Sequence, residues 1–281
     1  MNQEKLQNLQ YKAREVRIET IKSIGHLGVG HIGGSMSIVE ILTYLYYAEM
    51  RIDPKNPRLA DRDRLVLSKG HAGPTLYSIL ALKGFFPKEW LLTLNQGGTR
   101  LPSHCDRNLT PGIDMTTGSL GQGLSAAIGI ALATRLDNRR NHVYAIIGDG
   151  ESQEGQIWEA AMSAAQFKVG RLIAFTDYNK MQIDGTIKNI MDIDTLESKW
   201  LSFGWHVQRI DGHDITIIDD AVQRAKTVTD RPSMIILDTI KGKGCSFAEN
   251  LLGSHNMPMG KEQLEEALTA LGVAPSSQGD N

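Results

Sequence analysis

A single carboxylate, Asp149, lies between two glycines directly after an apolar run at residues 142–147. Such a run is typical of a buried parallel strand, and an alanine-rich helix is predicted behind it at residues 157–168. Glycines let a ligand approach the backbone closely, and a helix start offers free N–H groups and the positive end of a dipole. The stretch Gly148-Asp149-Gly150 therefore predicts a phosphate-binding loop.

Asp149 cannot serve a phosphate directly because two anions repel, so a divalent cation between them is the economical hypothesis. The next predicted strand, residues 171–176, ends in Asp177-Tyr178-Asn179. In a right-handed strand-helix-strand unit the carboxyl ends of consecutive strands lie side by side. We therefore expect Asp149 and Asn179 to share the cation. Gly-Asp-Gly alone is equally typical of a tight turn, and it is Asn179 that favours the metal site.

The composition is that of a globular protein, with 281 residues, 41% hydrophobic and 22% charged. A net charge of −2 gives no reason to expect nucleic acid or an anionic membrane as partner. The chain shows no secretory segment and no apolar run of membrane length. Cys105 and Cys245 have no metal-ligand spacing. We expect a cytoplasmic protein whose cysteines are reduced thiols.

Strand-like and helical patterns alternate along the chain, which predicts an α/β fold with a mainly parallel sheet and helices on both faces. A helix predicted at residues 36–47 has Ser35 as its N-cap. We expect one domain at residues 1–272 and a flexible tail at 273–281. The predicted strands are residues 65–67, 142–147, 171–176, 205–210 and 234–237, and further helices are predicted at 4–24 and 124–136.

Histidines recur in glycine-rich loops. The loop at residues 25–35 contains Gly-His-Xaa-Gly twice, so His26 and His31 are alternatives for one functional histidine. His71 follows the strand at 65–67, and His104 lies in a long loop of a kind that is usually functional. A single histidine in such a loop is more often a surface or packing residue. A functional role requires that the histidines converge.

Five motifs in order resemble the transketolase family, over residues 25 to about 260. They are Gly-His-Ile-Gly-Gly-Ser, Leu-Ser-Lys-Gly-His-Ala, Thr-Thr-Gly-Ser-Leu-Gly-Gln-Gly, Gly-Asp-Gly-Glu-Ser-Gln-Glu-Gly and Asp-Tyr-Asn-Lys-Met-Gln-Ile-Asp-Gly. The resemblance implies a thiamine diphosphate-binding fold, in its diphosphate-binding domain, with thiamine diphosphate and Mg²⁺ or Ca²⁺ as cofactors.

The resemblance also implies roles for individual residues. Asp149, Asn179 and the Met181 carbonyl match metal ligands. Three histidines match catalytic residues that handle protons and sugar hydroxyls, and the family register favours the second histidine of the first loop. These are His31, His104 and His255, and the cofactor-binding residues are Lys69, His71, Gly118, Leu120, Gly150, Glu151, Asn179, Ile183, Lys241 and His255.

Transketolases continue into further domains, one of which supplies the glutamate that activates the aminopyrimidine, whereas this chain stops at Asn281. We therefore expect the N-terminal subunit of a split transketolase, which transfers a two-carbon ketol unit between sugars, phosphorylated or related. Its partner would be a C-terminal subunit with that glutamate, in an α2β2 heterotetramer. The family places matching glutamates at that interface, although Glu154 and Glu159 are equally typical of a solvated helix face.

Two alternatives remain from the sequence. The α subunit of a 2-oxo-acid dehydrogenase would also bind this cofactor, although the Gly-His motifs favour the sugar enzyme. A non-catalytic cofactor-binding subunit is the other alternative. The fingerprints of nucleotide sites are missing in the contexts that define them. No Gly-Xaa-Gly-Xaa-Xaa-Gly follows a predicted strand, as in dinucleotide sites, and there is no Gly-Lys-Ser/Thr loop, as in P-loop sites.

Overall fold

The computed structural model of the chain describes residues 1–193 and 195–274. Residues 275–281, most of the predicted tail, lie outside this description. The strands are β1 (Val29–Gly30), β2 (Arg64–Leu67), β3 (Val143–Gly148), β4 (Leu172–Tyr178), β5 (Met181–Gln182), β6 (Gly185–Thr186), β7 (His206–Asp211), β8 (Ser233–Asp238) and β9 (Met257–Pro258). Five of these described strands form a parallel sheet in the order β2-β3-β4-β8-β7, and two short antiparallel pairs join β1 to β9 and β5 to β6.

The described helices precede, separate and follow these strands along the chain. They are α1 (Gln3–Leu27), α2 (Ile32–Met36), α3 (Val39–Tyr44), α4 (Gly73–Lys83), α5 (Gln122–Leu136), α6 (Gly155–Gln166), α7 (Ile187–Ile190), α8 (Leu196–Ser202), α9 (Ile215–Thr227) and α10 (Lys261–Ala270). Short 3₁₀ turns occupy Gly70–Ala72, Lys88–Thr93, Gly150–Gln153 and Leu252–His255. In the described parts of the chain, no helix has the length and apolar character needed to cross a bilayer.

Each central strand is buried on both faces. Tyr144 and Ile146 of β3 belong to a core formed with α1, α3, α4 and α9, whereas Ala145 and Ile147 belong to a second core formed with α5, α6 and α8. Since successive side chains of a strand point to opposite faces, a strand between two cores must be apolar throughout. This explains the uninterrupted apolar runs and confirms the predicted α/β fold with helices on both faces.

The first helix after the glycine loop differs from the prediction. It begins at Ile32, so Ser35 lies inside α2 and is not an N-cap, and the predicted single helix is interrupted before it ends in a π turn at Leu45–Glu49. The reason is tertiary packing. A Cβ on Gly33 would lie 2.5 Å from the Ser254 hydroxyl, and one on Gly34 would lie 2.9 Å from the His71 ring. The two glycines let α2 approach its neighbours, which outweighs their low helix propensity.

Residues 53–63, before β2, are rich in charged residues, proline and asparagine, which predicts a solvated loop. The structure agrees with this prediction only in part. Arg62 and Asp63 are buried. Arg62 forms a short ion pair with Asp114, both side chains being 6% exposed, and Asp114 also accepts the Leu65 N–H at 2.9 Å. The pair therefore joins the start of β2 to the loop that precedes α5.

We expect Asp114→Ala to lower the free energy of unfolding by about 3–5 kcal/mol, because it leaves the Arg62 guanidinium buried without its counterion. Chemical denaturation measures this. The matched control is Asp61→Ala, which removes an exposed ion pair with Arg51 and should change stability by less than about 1 kcal/mol. Equal effects in the two variants would contradict the structural role of Asp114.

Candidate functional site

The carboxyl ends of the four adjacent strands β2, β3, β4 and β8 meet at one edge of the sheet. Leu67 is paired with Ile146, Gly148 with Asp177, and Tyr178 with Asp238. The loops that leave these strand ends therefore lie side by side. Ligands of open α/β sheets bind at this edge. The loops carry Lys69, Asp149, Asn179 and Lys241.

Asp177 is the fully buried centre of this edge. Its carboxylate accepts hydrogen bonds from Ser37 at 2.7 Å, Lys69 at 2.5 Å, Asn179 at 2.9 Å and the Thr239 hydroxyl. Burial alone would raise the pKa of Asp177, but the Lys69 ammonium and these hydrogen bonds hold it below its usual range. Asp177 is therefore an ionised anchor for α2 and for three of the strand-end loops.

Asp149 is also buried, with 2% of its surface exposed, but among the described residues it has no ion pair like that of Asp177 with Lys69. One carboxylate oxygen accepts the Gly150 N–H at 2.8 Å and the other accepts the Lys180 N–H at 2.5 Å. Burial and the nearby Asp177 charge raise the pKa of Asp149 to about 7. A divalent cation at this carboxylate would remove both penalties.

Asn179 is oriented so that its oxygen can serve a cation. Its amide nitrogen donates to Asp177, which fixes the flip of the side chain. The oxygen accepts the Met181 N–H at 3.1 Å and keeps a second lone pair. In the described residues, no three His, Cys, Asp or Glu side chains converge as metal ligands. The predicted set of one carboxylate, one amide and the Met181 carbonyl contains one such side chain, so it stays a prediction.

The two predicted phosphate-binding lysines have different surroundings. Lys69 is 1% exposed and donates to Asp177 and to the Gly34 carbonyl, so its charge is already compensated. Lys241 is 2% exposed, and its ammonium makes no hydrogen bond to any described residue. Burial, and next the Lys69 charge, lower the pKa of Lys241 to about 8. An anionic ligand beside Lys241 would compensate this buried charge, which fits the diphosphate of the implied cofactor.

The buried carboxylate of Glu151 links three segments of the site by hydrogen bonds. Its carboxylate accepts the N–H groups of Gly148 and Gly121, each at 3.0 Å, and a short hydrogen bond from Ser68. Burial raises the pKa of Glu151. These bonds join the loops after β2 and β3 to the loop before α5. The predicted contact between Glu151 and the cofactor stays a prediction, since both carboxylate oxygens serve the protein.

Four of the predicted histidines converge. The ring centroids of His31 lie 5.5 Å from His71, 5.6 Å from His104 and 5.4 Å from His255, and those of His71 and His255 are 4.9 Å apart. His26, the alternative to His31, is exposed at the end of α1 and outside this group. The convergence supplies the condition that the sequence alone could not test.

The histidines of this cluster are held neutral. Burial first, and then His104 and Lys241, lower the pKa of His31 to about 4. Burial and Lys241 lower the pKa of His255 to about 4, and burial also lowers the pKa of His71 and His104. Neutral imidazoles accept protons from hydroxyl groups and can return them. The cluster can therefore orient a polyhydroxylated substrate and exchange protons with it.

Gly118, Leu120 and Ile183 are the remaining predicted cofactor-binding residues. Gly118 has φ +145°, and a Cβ there would lie 3.2 Å from the His104 ring, so only glycine fits without strain. Leu120 and Ile183 are 38% and 65% exposed, which leaves them available to a ligand or to a partner. Glu154 and Glu159 are also exposed. Their predicted contacts stay predictions.

The supporting residues Ser37, Ser68 and Thr239 were not identified from the sequence. Each is a small hydroxyl residue whose value depends on a partner far along the chain, and this holds even for Ser68, which lies inside the Leu-Ser-Lys-Gly-His-Ala motif. For Asp177 a signal existed, because it directly precedes the Tyr178-Asn179 pair at the end of a strand. A carboxylate at the buried end of a strand must have a partner.

We expect His31 and His255 to reduce the stability of the wild-type protein as the pH falls from about 6.5 to about 4. Over this range the unfolded chain binds protons at both histidines, whereas the folded chain does not, because their folded pKa is about 4. Asp149, with its raised pKa, acts in the opposite direction, so the histidine contribution is measured against a variant that keeps Asp149.

Denaturant titrations at pH 7.5 and pH 5 measure this contribution in the wild type and in the double variant His31→Gln, His255→Gln. Acidification should be less destabilising for the double variant, because it no longer has the two imidazoles that resist protonation in the folded state. The same pH dependence in both proteins would contradict the neutral cluster.

Comparison with known proteins gives a consistent result. Residues 9–279 match the family profile described as transketolase, thiamine diphosphate binding domain. The 6-deoxy-6-sulfo-D-fructose transketolase subunit SqwG of Clostridium sp. (strain MSTE9) is 60% identical over 264 residues, which cover 94% of this chain and 96% of that subunit. An apulose-4-phosphate transketolase subunit from Phocaeicola vulgatus is 36% identical, over 94% of this chain and 93% of its own length.

Full-length transketolases match over the same region. Transketolase 1 of Escherichia coli is 36% identical over 92% of this chain, and the match covers 41% of that enzyme. The crystal structure of a Pichia stipitis transketolase superposes with a TM-score of 0.89 and 32% identity, over 94% of this chain and 40% of that one. These matches favour the sugar enzyme over a 2-oxo-acid dehydrogenase. The chain belongs to the transketolase family, as the thiamine diphosphate-binding N-terminal subunit of a split transketolase.

Proposed function

We propose that this subunit, with a C-terminal partner, transfers a two-carbon ketol unit from a sulfonated ketose, 6-deoxy-6-sulfofructose, to an aldose. The reaction class follows from the family. The proposal for the substrate is supported by the 60% identity with SqwG along nearly its whole length, against 36% for the apulose-4-phosphate enzyme's subunit. The residues that would recognise the sulfonate are expected on the partner, since the cluster of neutral histidines carries no fixed positive charge.

The single observation that carries the cofactor assignment is a pair of buried charged groups at one sheet edge, neither of which forms an ion pair with a described residue. Asp149 is buried with a raised pKa, and the buried Lys241 ammonium has no hydrogen-bond partner among the described residues. A metal ion held by Asp149, the Asn179 oxygen and the Met181 carbonyl would compensate the first charge. A diphosphate beside Lys241 and the Gly150 N–H would compensate the second. Mg²⁺ or Ca²⁺ suits this oxygen ligand set.

When bound, thiamine diphosphate supplies the nucleophile and the electron sink for breaking a carbon–carbon bond. The chain's own residues bind and orient the sugar and move protons. His31 and His255 are neutral, so each can accept a proton from a substrate hydroxyl and return it. His104 lies at the edge of the cluster, against Gly118, where it can orient sugar hydroxyls.

The partner supplies the glutamate that activates the aminopyrimidine, and we propose an α2β2 assembly in the cytoplasm. The exposed apolar side chains of Leu120 and Ile183 and the exposed carboxylates of Glu154 and Glu159 support an interface on this side of the molecule. A partner or a ligand that covered Leu120 and Ile183 would remove their apolar surface from water.

We expect ketol transfer from this chain and its C-terminal partner mixed together, and from neither alone. A coupled assay with a panel of donors should give the highest kcat/KM for 6-deoxy-6-sulfofructose, with fructose 6-phosphate and apulose 4-phosphate as comparison donors. Full activity from this chain alone would contradict the split enzyme. A higher kcat/KM for either phosphorylated donor would contradict the sulfonate assignment and leave the reaction class intact.

Asp149→Ala should weaken Mg²⁺-dependent binding of thiamine diphosphate to the assembled complex by at least about 100-fold, because a charged metal ligand is lost.

His31→Ala should instead lower kcat by about 10²–10⁴-fold and leave cofactor binding nearly unchanged. Calorimetry and steady-state kinetics separate the two. The control is Asp230→Ala, an exposed carboxylate that forms an ion pair with its neighbour Arg231. Cofactor binding that survives in Asp149→Ala would refute the metal site.

A further inference from the structure

His213 follows β7 and has no role in the function described so far, yet it is held by hydrogen bonds on both ring nitrogens. Its ring Nε2 lies 2.9 Å from the Ile240 N–H, and its Nδ1 lies 3.0 Å from a carboxylate oxygen of Glu40. A backbone N–H can only donate, so Nε2 must be the acceptor and the ring proton must be on Nδ1. The hydrogen-bond network thus fixes one neutral tautomer.

Glu40 and Arg17 extend this arrangement. The second carboxylate oxygen of Glu40 lies 2.5 Å from the Arg17 guanidinium, and both side chains are about 10% exposed. Burial opposes ionisation of Glu40, but Arg17 and His213 hold its pKa below the usual value. Arg17 also donates to the Lys243 carbonyl at 3.1 Å. Arg17, Glu40 and His213 thus form a connected chain of hydrogen bonds, which we call the relay. It binds the Ile240 N–H through His213 and the Lys243 carbonyl through Arg17, so it holds both ends of the segment 240–243.

That segment carries Lys241 into the site. The Gly242 N–H donates to the Gly33 carbonyl at 3.0 Å, which joins the segment to the start of α2, next to His31. The Asn250 N–H donates to the Lys241 carbonyl at 2.9 Å. Gly242 has φ +79°, and a Cβ there would lie 2.4 Å from the Ala248 carbonyl. The backbone around Lys241 is thus closely packed. The Lys241 ammonium is buried and makes no hydrogen bond to any described residue.

A buried ammonium without a hydrogen-bond partner among the described residues is costly, because the water that would solvate it is lost and no acceptor replaces it. A Cβ on Gly33 would lie 3.0 Å from Cγ of Lys241, so the stem of Lys241 passes close to a residue that offers no counterion. The position of the ammonium therefore depends on how firmly the backbone of its segment is held, by the bonds at Gly242 and the Lys241 carbonyl and by those at the two ends. The Ile240 N–H and the Lys243 carbonyl flank Lys241, and both are bound by the relay.

We propose that His213 is a positioning residue for Lys241. Its neutral ring ties Ile240 to Glu40, and the relay preorganises Lys241 for an anionic ligand before that ligand arrives. The inference rests on the proposed function in one respect, that the anion is the diphosphate of thiamine diphosphate. Its consequence is that cofactor affinity depends on a histidine that contacts neither the cofactor nor the sugar.

The test compares two variants. His213→Phe keeps an aromatic side chain but removes both hydrogen bonds, and His213→Gln restores an acceptor for the Ile240 N–H. The matched control is His206→Phe, at the other end of β7, where the ring Nδ1 lies 3.3 Å from the Ser233 hydroxyl. In the assembled complex we expect His213→Phe to bind thiamine diphosphate with Mg²⁺ about tenfold more weakly, or about 1.4 kcal/mol. His213→Gln should recover most of that loss, His206→Phe should bind as wild type, and kcat at saturating cofactor should be unchanged.

A second readout needs no cofactor. Nitrogen NMR of the complex labelled at histidine should show His213 as the neutral Nδ1–H tautomer, and the Ile240 amide should exchange faster in His213→Phe than in wild type. Wild-type affinity in a folded His213→Phe variant, or the opposite tautomer, would overturn the proposal. If that variant does not fold, Glu40→Gln and the tautomer decide it. A wild-type complex that binds no thiamine diphosphate would refute the proposed function, while the tautomer and exchange results would still judge the relay.

Discussion

The buried ion pair between Lys69 and Asp177 is the interaction on which the site depends. Asp177 is fully buried at the end of a central strand, where an uncompensated carboxylate would be strongly destabilising. Its compensation comes from Lys69, Ser37, Asn179 and Thr239, which lie on four separate segments. One buried anion therefore joins the segments of Ser37, Lys69 and Thr239 to the end of β4, next to Asn179.

This pairing also determines which charges remain for a ligand. Because Lys69 is paired with Asp177, the second lysine, Lys241, has an ammonium without a hydrogen-bond partner among the described residues, and the second carboxylate, Asp149, keeps a raised pKa. The protein thus neutralises one pair internally and leaves one charge of each sign unsatisfied at the same edge. A metal-bound diphosphate carries complementary charges. Such preorganisation is costly without a ligand and favours binding when the ligand arrives.

The strand ends and their glycine loops were predictable because a strand buried on both faces must be apolar throughout, so its end is visible where glycine and carboxylate begin. The convergence of the Asp149 and Asn179 loops followed from the handedness of the connection. The partner of Lys69 could not be predicted, since a lysine after a strand looks the same in sequence whether it faces a phosphate or Asp177. The early start of α2 was hidden for a similar reason, because Gly33 and Gly34 disfavour a helix locally and are required only by distant neighbours.

The two buried lysines and the histidine cluster are electrostatically coupled. Burial is the main cause of the low pKa of His31 and His255, but the charges of Lys241 and Lys69 contribute to both. A diphosphate that compensates Lys241 would remove part of that repulsion and raise the proton affinity of both imidazoles. The histidines would then become better bases only when the cofactor is in place. Without such an anion, burial and the charges of both lysines together lower the proton affinity of His31 and His255.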